Sequence, residues 1–114
     1  EPTIFEGVRN DMKIAQEEIF GPVLSAITVK GFDEAMEVAN DTIYGLAGAV
    51  WTGSMKNAHR AAKALRAGVV WVNCFDKGSM AVPFGGFKQS GFGRDKSLHA
   101  MDKYTDLKAV WFQH

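Results

Sequence analysis

A chain of 114 residues with 46% hydrophobic and 23% charged side chains has the mixture of a soluble globular protein, and its size excludes more than one compact domain. Thirteen Lys and Arg balance thirteen Asp and Glu, so no net field draws the chain to nucleic acid or to an anionic membrane, and neither is expected as a partner. The single cysteine, Cys74, excludes an internal disulfide and fits a reducing compartment, with the cytoplasm as the expected location; no apolar run approaches the ~20 residues that span a bilayer. The start, Glu1-Pro2-Thr3, has no signal core and no initiator Met, as expected of a trimmed or engineered segment or of a chain whose initiator was removed.

The elements alternate along the chain. Thr3 to Val8 and Leu24 to Val29 mix β-branched and apolar residues and read as strands, with the polar run Arg9 to Asp11 between them and the turn Gly21-Pro22 just before the second. Phe32, Ala35, Met36 and Ala39 recur at i, i+3, i+4 and i+7, the period of a short helix that Asn40-Asp41 and Gly45 end. Ala47 to Thr52 reads as a buried strand. A helix follows, capped by Ser54 and closed by Gly68, with Met55, Ala58, Ala62 and Leu65 as its apolar stripe and Lys56, Arg60 and Lys63 on a solvated face. Val69 to Val72 is apolar without alternation, as in a strand covered on both faces, so Ala47 to Thr52, the helix and Val69 to Asn73 form a βαβ unit with a parallel sheet. A glycine-rich stretch, Gly78 to Gly93, leads to a short helix that Asp95 can cap, carrying Leu98 and Met101. Leu107 to Phe112 reads as a terminal strand with no later partner in the sequence, an open edge that another sheet must cover.

Three stretches carry chemistry: Glu17-Glu18-Ile19-Phe20-Gly21-Pro22-Val23 with Ala39-Asn40-Asp41-Thr42-Ile43-Tyr44-Gly45-Leu46, then Ala67-Gly68-Val69-Val70-Trp71-Val72-Asn73, then Pro83-Phe84-Gly85-Gly86-Phe87-Lys88-Gln89-Ser90-Gly91-Phe92-Gly93-Arg94. In this order they resemble the aldehyde dehydrogenase superfamily from about Glu17 onward. Met80-Ala81-Val82 and Asp95-Lys96-Ser97-Leu98-His99-Ala100 are similar to bacterial enzymes acting on gamma-glutamyl-aminobutyraldehyde and related aminoaldehydes. The resemblance implies an α/β fold: residues 1–104 would be the C-terminal part of the catalytic domain with its parallel-sheet βαβ unit, and residues 105–114 an oligomerisation strand that crosses to a partner subunit of a homo-oligomer. It also implies a full-length parent that binds NAD or NADP and oxidises an aldehyde. There a cysteine thiolate attacks the carbonyl, hydride passes to the nicotinamide, and a glutamate-activated water hydrolyses the thioester. The motifs that bear this cysteine and glutamate, and the glycine-containing dinucleotide-binding segment, do not occur here. The segment by itself is therefore expected to be inactive, with no catalytic residue of its own. The rival reading is a non-catalytic assembly module.

By the same resemblance Glu18 would hydrogen-bond the hydroxyls of the nicotinamide ribose, since a carboxylate offers two acceptors to adjacent donors; a lone carboxylate is otherwise an ordinary surface acid. Phe20 would contact the nicotinamide ring, on the same face as Glu18 if the strand continues, with Glu17 facing away; otherwise it is a core phenylalanine. Phe84 would reach the pocket of the reacting aldehyde between flanking glycines, or anchor a turn. Asp76, at the mouth of the substrate tunnel, would attract the ammonium of an aminoaldehyde or be a plain loop acid. Glu18, Phe20 and Phe84 are expected to line one cavity. Cys74 follows Trp71-Val72-Asn73 and matches no nucleophile motif, so it reads as a small pocket-lining or buried side chain. His59, His99 and His114 have no partners at ligand spacing, and no metal site is indicated. Gly85-Gly86 and Gly91-Phe92-Gly93 serve the turn and not a phosphate cradle, and Arg94 and Asp95 are expected to tie that turn by hydrogen bonds.

Overall fold

A computed structural model describes all 114 residues, Glu1–His114, and shows an α/β arrangement of three two-stranded pairs, three α-helices and one 3₁₀ helix. β1 (Thr3–Phe5) pairs parallel with β2 (Val23–Ser25), and α1 (Lys13–Gln16) lies between them in the chain. Both strands are shorter than their apolar runs suggest. α1 is a single turn, too brief to leave a 3.6-residue signature beside the polar run at Arg9 to Asp11.

The βαβ unit stands as expected. β4 (Ala47–Val50) and β5 (Val69–Val72) are parallel, Ala47 opposite Val69 and Val50 opposite Val72, joined through α3 (Met55–Ala64). β3 (Tyr44–Gly45) pairs antiparallel with β6 (Phe87–Lys88), which clips the glycine-rich stretch to the connection after α2 (Phe32–Asn40). The Ser54 hydroxyl accepts from the Asn57 N–H and caps α3. The buried face of α3 is Ala58 and Ala61, whereas Met55 and Ala62 of the predicted stripe point out; two small side chains let the helix approach β5. Arg60 is not simply solvated: its guanidinium hydrogen-bonds Asp33 at 2.5 Å and lies 4.1 Å from the Phe32 ring centroid, tying α3 to α2. Gly68 permits another close approach, because a Cβ there would collide with the Gly85 carbonyl oxygen.

The chain ends in a 3₁₀ helix, Leu98–Lys103, capped by the Ser97 hydroxyl and not by Asp95. Asp95 instead exchanges both backbone hydrogen bonds with Phe84 and accepts from Lys103 Nζ at 2.6 Å. Leu107 to Phe112 forms no strand within the chain, and Leu107, Trp111 and Phe112 are exposed. A strand needs a second backbone to accept and donate its hydrogen bonds, and this run finds none here.

Five of 114 residues are buried, and the accessible surface is 9419 Å². A folded protein of 12.5 kDa exposes about 6,200 Å², and one of this length has a radius of gyration near ~13 Å, against 18.6 Å here. The elements form, yet their apolar faces are open.

At the end of the β4–β5 ladder Asn73 replaces a peptide group. Its Oδ1 accepts from the Thr52 N–H at 2.8 Å, its Nδ2 donates to the Thr52 carbonyl at 3.0 Å, and its own N–H reaches the Val50 carbonyl. With φ 53° it then turns the chain left-handed into the loop that carries Asp76. Asn73→Gly keeps that backbone but loses the clamp, and Asn73→Ala loses both. In urea unfolding the two are expected to be destabilised by about 1 and about 2 kcal/mol in that order; equal losses would show that backbone conformation contributes nothing.

Candidate functional site

Two separate concavities hold the residues of interest. The first, about 620 Å³ and wide open, is bordered by Ile14, Glu17, Glu18, Phe20, Gly21 and Leu24 among others. Phe20 has φ 57° and is 91% exposed. A bulky residue in that region costs about 1–2 kcal/mol of backbone strain, here at a side chain that stands almost wholly in solvent. Residues 17–20 are not strand, so the alternation that would have separated Glu17 from Glu18 does not apply; both border the same cavity. Glu17 pairs with Lys13 at 3.5 Å. The Glu18 carboxylate makes no hydrogen bond or ion pair, which leaves its four lone-pair sites free.

A polar knot fixes this turn. Gln16 Nε2 donates to the Asn10 and Asp41 carbonyls at 2.7 and 3.0 Å, and Asn10 Nδ2 donates to Asp41 Oδ2 at 2.6 Å. Glu17 and Glu18 also border a third concavity, about 340 Å³, whose far side is Thr42, Tyr44, Leu46 and Ser90.

The second concavity, about 240 Å³, has Val69, Trp71, Val82, Pro83 and Phe84 as apolar walls and Asp76, Lys77 and Lys96 as its charges. Trp71 Nε1 donates to the Lys77 carbonyl at 2.7 Å, and Trp71 meets Phe75 at 5.0 Å between centroids. Asp76 has φ 53° and is exposed. Lys96 Nζ lies 5.3 Å from the Phe84 ring centroid. The expected single cavity is therefore not found: Glu18 and Phe20 share one concavity, Phe84 and Asp76 another, and no residue borders both. In this chain they face open space that no other segment closes.

Arg94 and Asp95 tie the glycine-rich turn as expected, with Arg94 NH1 donating to the Gly86 and Gly93 carbonyls at 3.1 and 2.6 Å. Cys74 is half-buried, directly after the Asn73 clamp. No group of three or more His, Cys, Asp and Glu is placed to hold a metal ion, and no helix is long and apolar enough to cross a membrane. Lys96 escaped sequence reasoning; a lone lysine after Arg94-Asp95 carries no motif, and its approach to Phe84 arises only from the bridge between Phe84 and Asp95.

A profile described as the aldehyde dehydrogenase family matches residues 1–110. The chain belongs to that family. It is 66% identical to the indole-3-acetaldehyde dehydrogenase of P. syringae solved with NAD+ and IAA, covering 100% of this chain and 23% of that one, with a TM-score of 0.93. It is 64% identical to gamma-glutamyl-gamma-aminobutyraldehyde dehydrogenase of Burkholderia cenocepacia over 95% of this chain and 22% of that one, with a TM-score of 0.90. Among curated relatives, the NADP/NAD-dependent aldehyde dehydrogenase of Escherichia coli is 52% identical over 96% of this chain and 22% of its own length. The chain thus spans between a fifth and a quarter of the curated relatives it matches.

Proposed function

We propose that this chain supplies one wall of the cofactor site and one wall of the substrate pocket in an NAD(P)-dependent aldehyde dehydrogenase. In the overall reaction an aldehyde, NAD(P)+ and water give a carboxylate, NAD(P)H and two protons. A bound nicotinamide would supply the hydride acceptor, with Glu18 and Phe20 as the residues of this chain that would hold it. The unpaired Glu18 carboxylate, which borders the open 620 Å³ concavity together with the exposed Phe20, carries the reading. Its free acceptors suit two ribose hydroxyls, and the ring offers a flat apolar wall to a nicotinamide. Phe84 and Asp76 would line the entry of the aldehyde on the other concavity. The similar enzymes named for aminoaldehyde substrates support an aminoaldehyde as one candidate.

Glu18→Gln in the full-length enzyme is expected to raise KM for NAD+ about tenfold, with thermal stability unchanged, because a charged acceptor is replaced by a neutral amide. An unchanged KM would remove Glu18 from the site. The 114-residue chain by itself is expected to give no NADH from any aldehyde, since cysteine-nucleophile and general-base motifs are absent from it; measurable turnover overturns that expectation.

The terminal run supports a second role, pairing within a homo-oligomer through residues 105–114. Trp111 is 93% exposed and Val110, Leu107 and Phe112 are exposed beside it, an apolar edge that another backbone could satisfy. Val110→Pro is expected to lower the mass seen by light scattering, because proline removes a ladder donor. Unchanged mass counts against pairing there.

A further inference from the structure

Lys96 occupies the substrate-side concavity under strain. It has φ 59° and Ser97 has φ 53°, two successive left-handed residues without a glycine. Such a pair persists only where its surroundings hold it. Here Asp95, just before, is locked by both hydrogen bonds of its bridge to Phe84 and by Lys103, while the Ser97 N–H donates to the Met80 carbonyl at 2.8 Å. The half-buried Lys96 side chain is thereby delivered to the concavity, its ammonium 5.3 Å from the Phe84 ring centroid and 3.9 Å from where a Cβ on Gly78 would sit. It takes no carboxylate as partner, and neither does Lys77. Lys77 and Lys96 face one carboxylate, Asp76, so the charges of this concavity sum to a net cation. Beside Lys96 an ammonium meets repulsion, which leaves Asp76 as the one carboxylate of this concavity that could receive it, whereas an anionic group meets an unused donor set against two aromatic walls, Trp71 and Phe84.

We propose that Lys96 is a specificity-determining residue that binds a carboxylate carried by the aldehyde substrate at a distance from its reacting carbonyl. This rests on the assignment of Phe84 and Asp76 to the substrate pocket. The test compares kcat/KM of the full-length enzyme and of Lys96→Met for three matched aldehydes: succinic semialdehyde, butanal and 4-aminobutanal. Met keeps the length and apolar stem of lysine and removes the charge.

The native enzyme is expected to favour succinic semialdehyde over butanal. Lys96→Met should cut kcat/KM for succinic semialdehyde about tenfold, the scale of a lost hydrogen bond to a charged group, leave butanal within twofold, and raise 4-aminobutanal. Lys96→Arg should retain the preference, and salt should weaken it in the native enzyme but not in the Met variant. Equal losses for all three substrates, or none, overturn the proposal while butanal turnover leaves the dehydrogenase reading intact. Weaker product inhibition by butanoate with an unchanged preference also overturns it, for Lys96 would then face the newly formed carboxylate. NADH formed from indole-3-acetaldehyde but from none of the three also overturns the proposal and leaves the dehydrogenase reading intact, whereas no NADH from any of the four refutes that reading. Should Lys96→Met not fold, the salt dependence and Lys96→Arg still decide.

Discussion

The connection from Asn40 to Gly45 holds the structure together, because polar groups from both functional sides converge on its backbone. From the side of the Glu18 concavity, Gln16 and Asn10 grip Asp41. From the glycine-rich side, Lys88 Nζ donates to the Asn40 and Thr42 carbonyls at 2.7 and 3.0 Å, the Gln89 N–H reaches Ile43, and the Ser90 hydroxyl accepts from the Gly45 N–H. Asn40 adds a clamp of its own, donating to the Ala64 carbonyl and accepting from the Arg66 N–H. A segment with so few apolar contacts keeps its shape by satisfying its backbone groups. That is the work done by the stretch Ala39 to Leu46, which carries part of the family resemblance but none of the proposed contacts to cofactor.

These ties connect the segment before Glu18 and the segment after Phe84 to one hub without bringing the two residues into one cavity. The third concavity makes the relation concrete: Glu17 and Glu18 border it on one side and Ser90 on the other, and Ser90 lies six residues past Phe84. The two walls are tied to the hub by hydrogen bonds and are each open. Whatever closes them has to come from surface outside these 114 residues, which agrees with the match to only part of each relative.

Legibility in the sequence followed the range of the interactions involved. The β4–α3–β5 unit was readable because its strands, cap and crossover are all local, and the parallel ladder from Ala47 to Val72 needs no more than that unit contains. α1 was not, since one turn has no period, and the rotation of α3 onto Ala58 and Ala61 was not, since packing against β5 chose among several small residues. At the sites, residue types pointed to Glu18, Phe20, Phe84 and Asp76 through family resemblance. Spacing alone missed that Glu17 and Glu18 share a rim, because the chain there is neither strand nor helix. Lys96 was missed since its position is set by a bridge between residues eleven apart, Phe84 and Asp95.

The terminal run shows the same logic from the other side. Leu107 to Phe112 has the composition of a strand, and composition supplies the side-chain preference of a strand but not its hydrogen bonds. Those belong to a pair of backbones, so an edge with strand character and no partner within reach stays irregular, with Trp111 and Phe112 in solvent. The open faces of β1, β2 and the glycine-rich turn differ only in degree: Ile4, Leu24 and Phe92 are each more than half exposed although their backbones are ordered. Burial of apolar area is the dominant favourable term in folding. A chain that leaves so much of it uncovered forgoes much of that term, and its secondary structure rests on local hydrogen bonds.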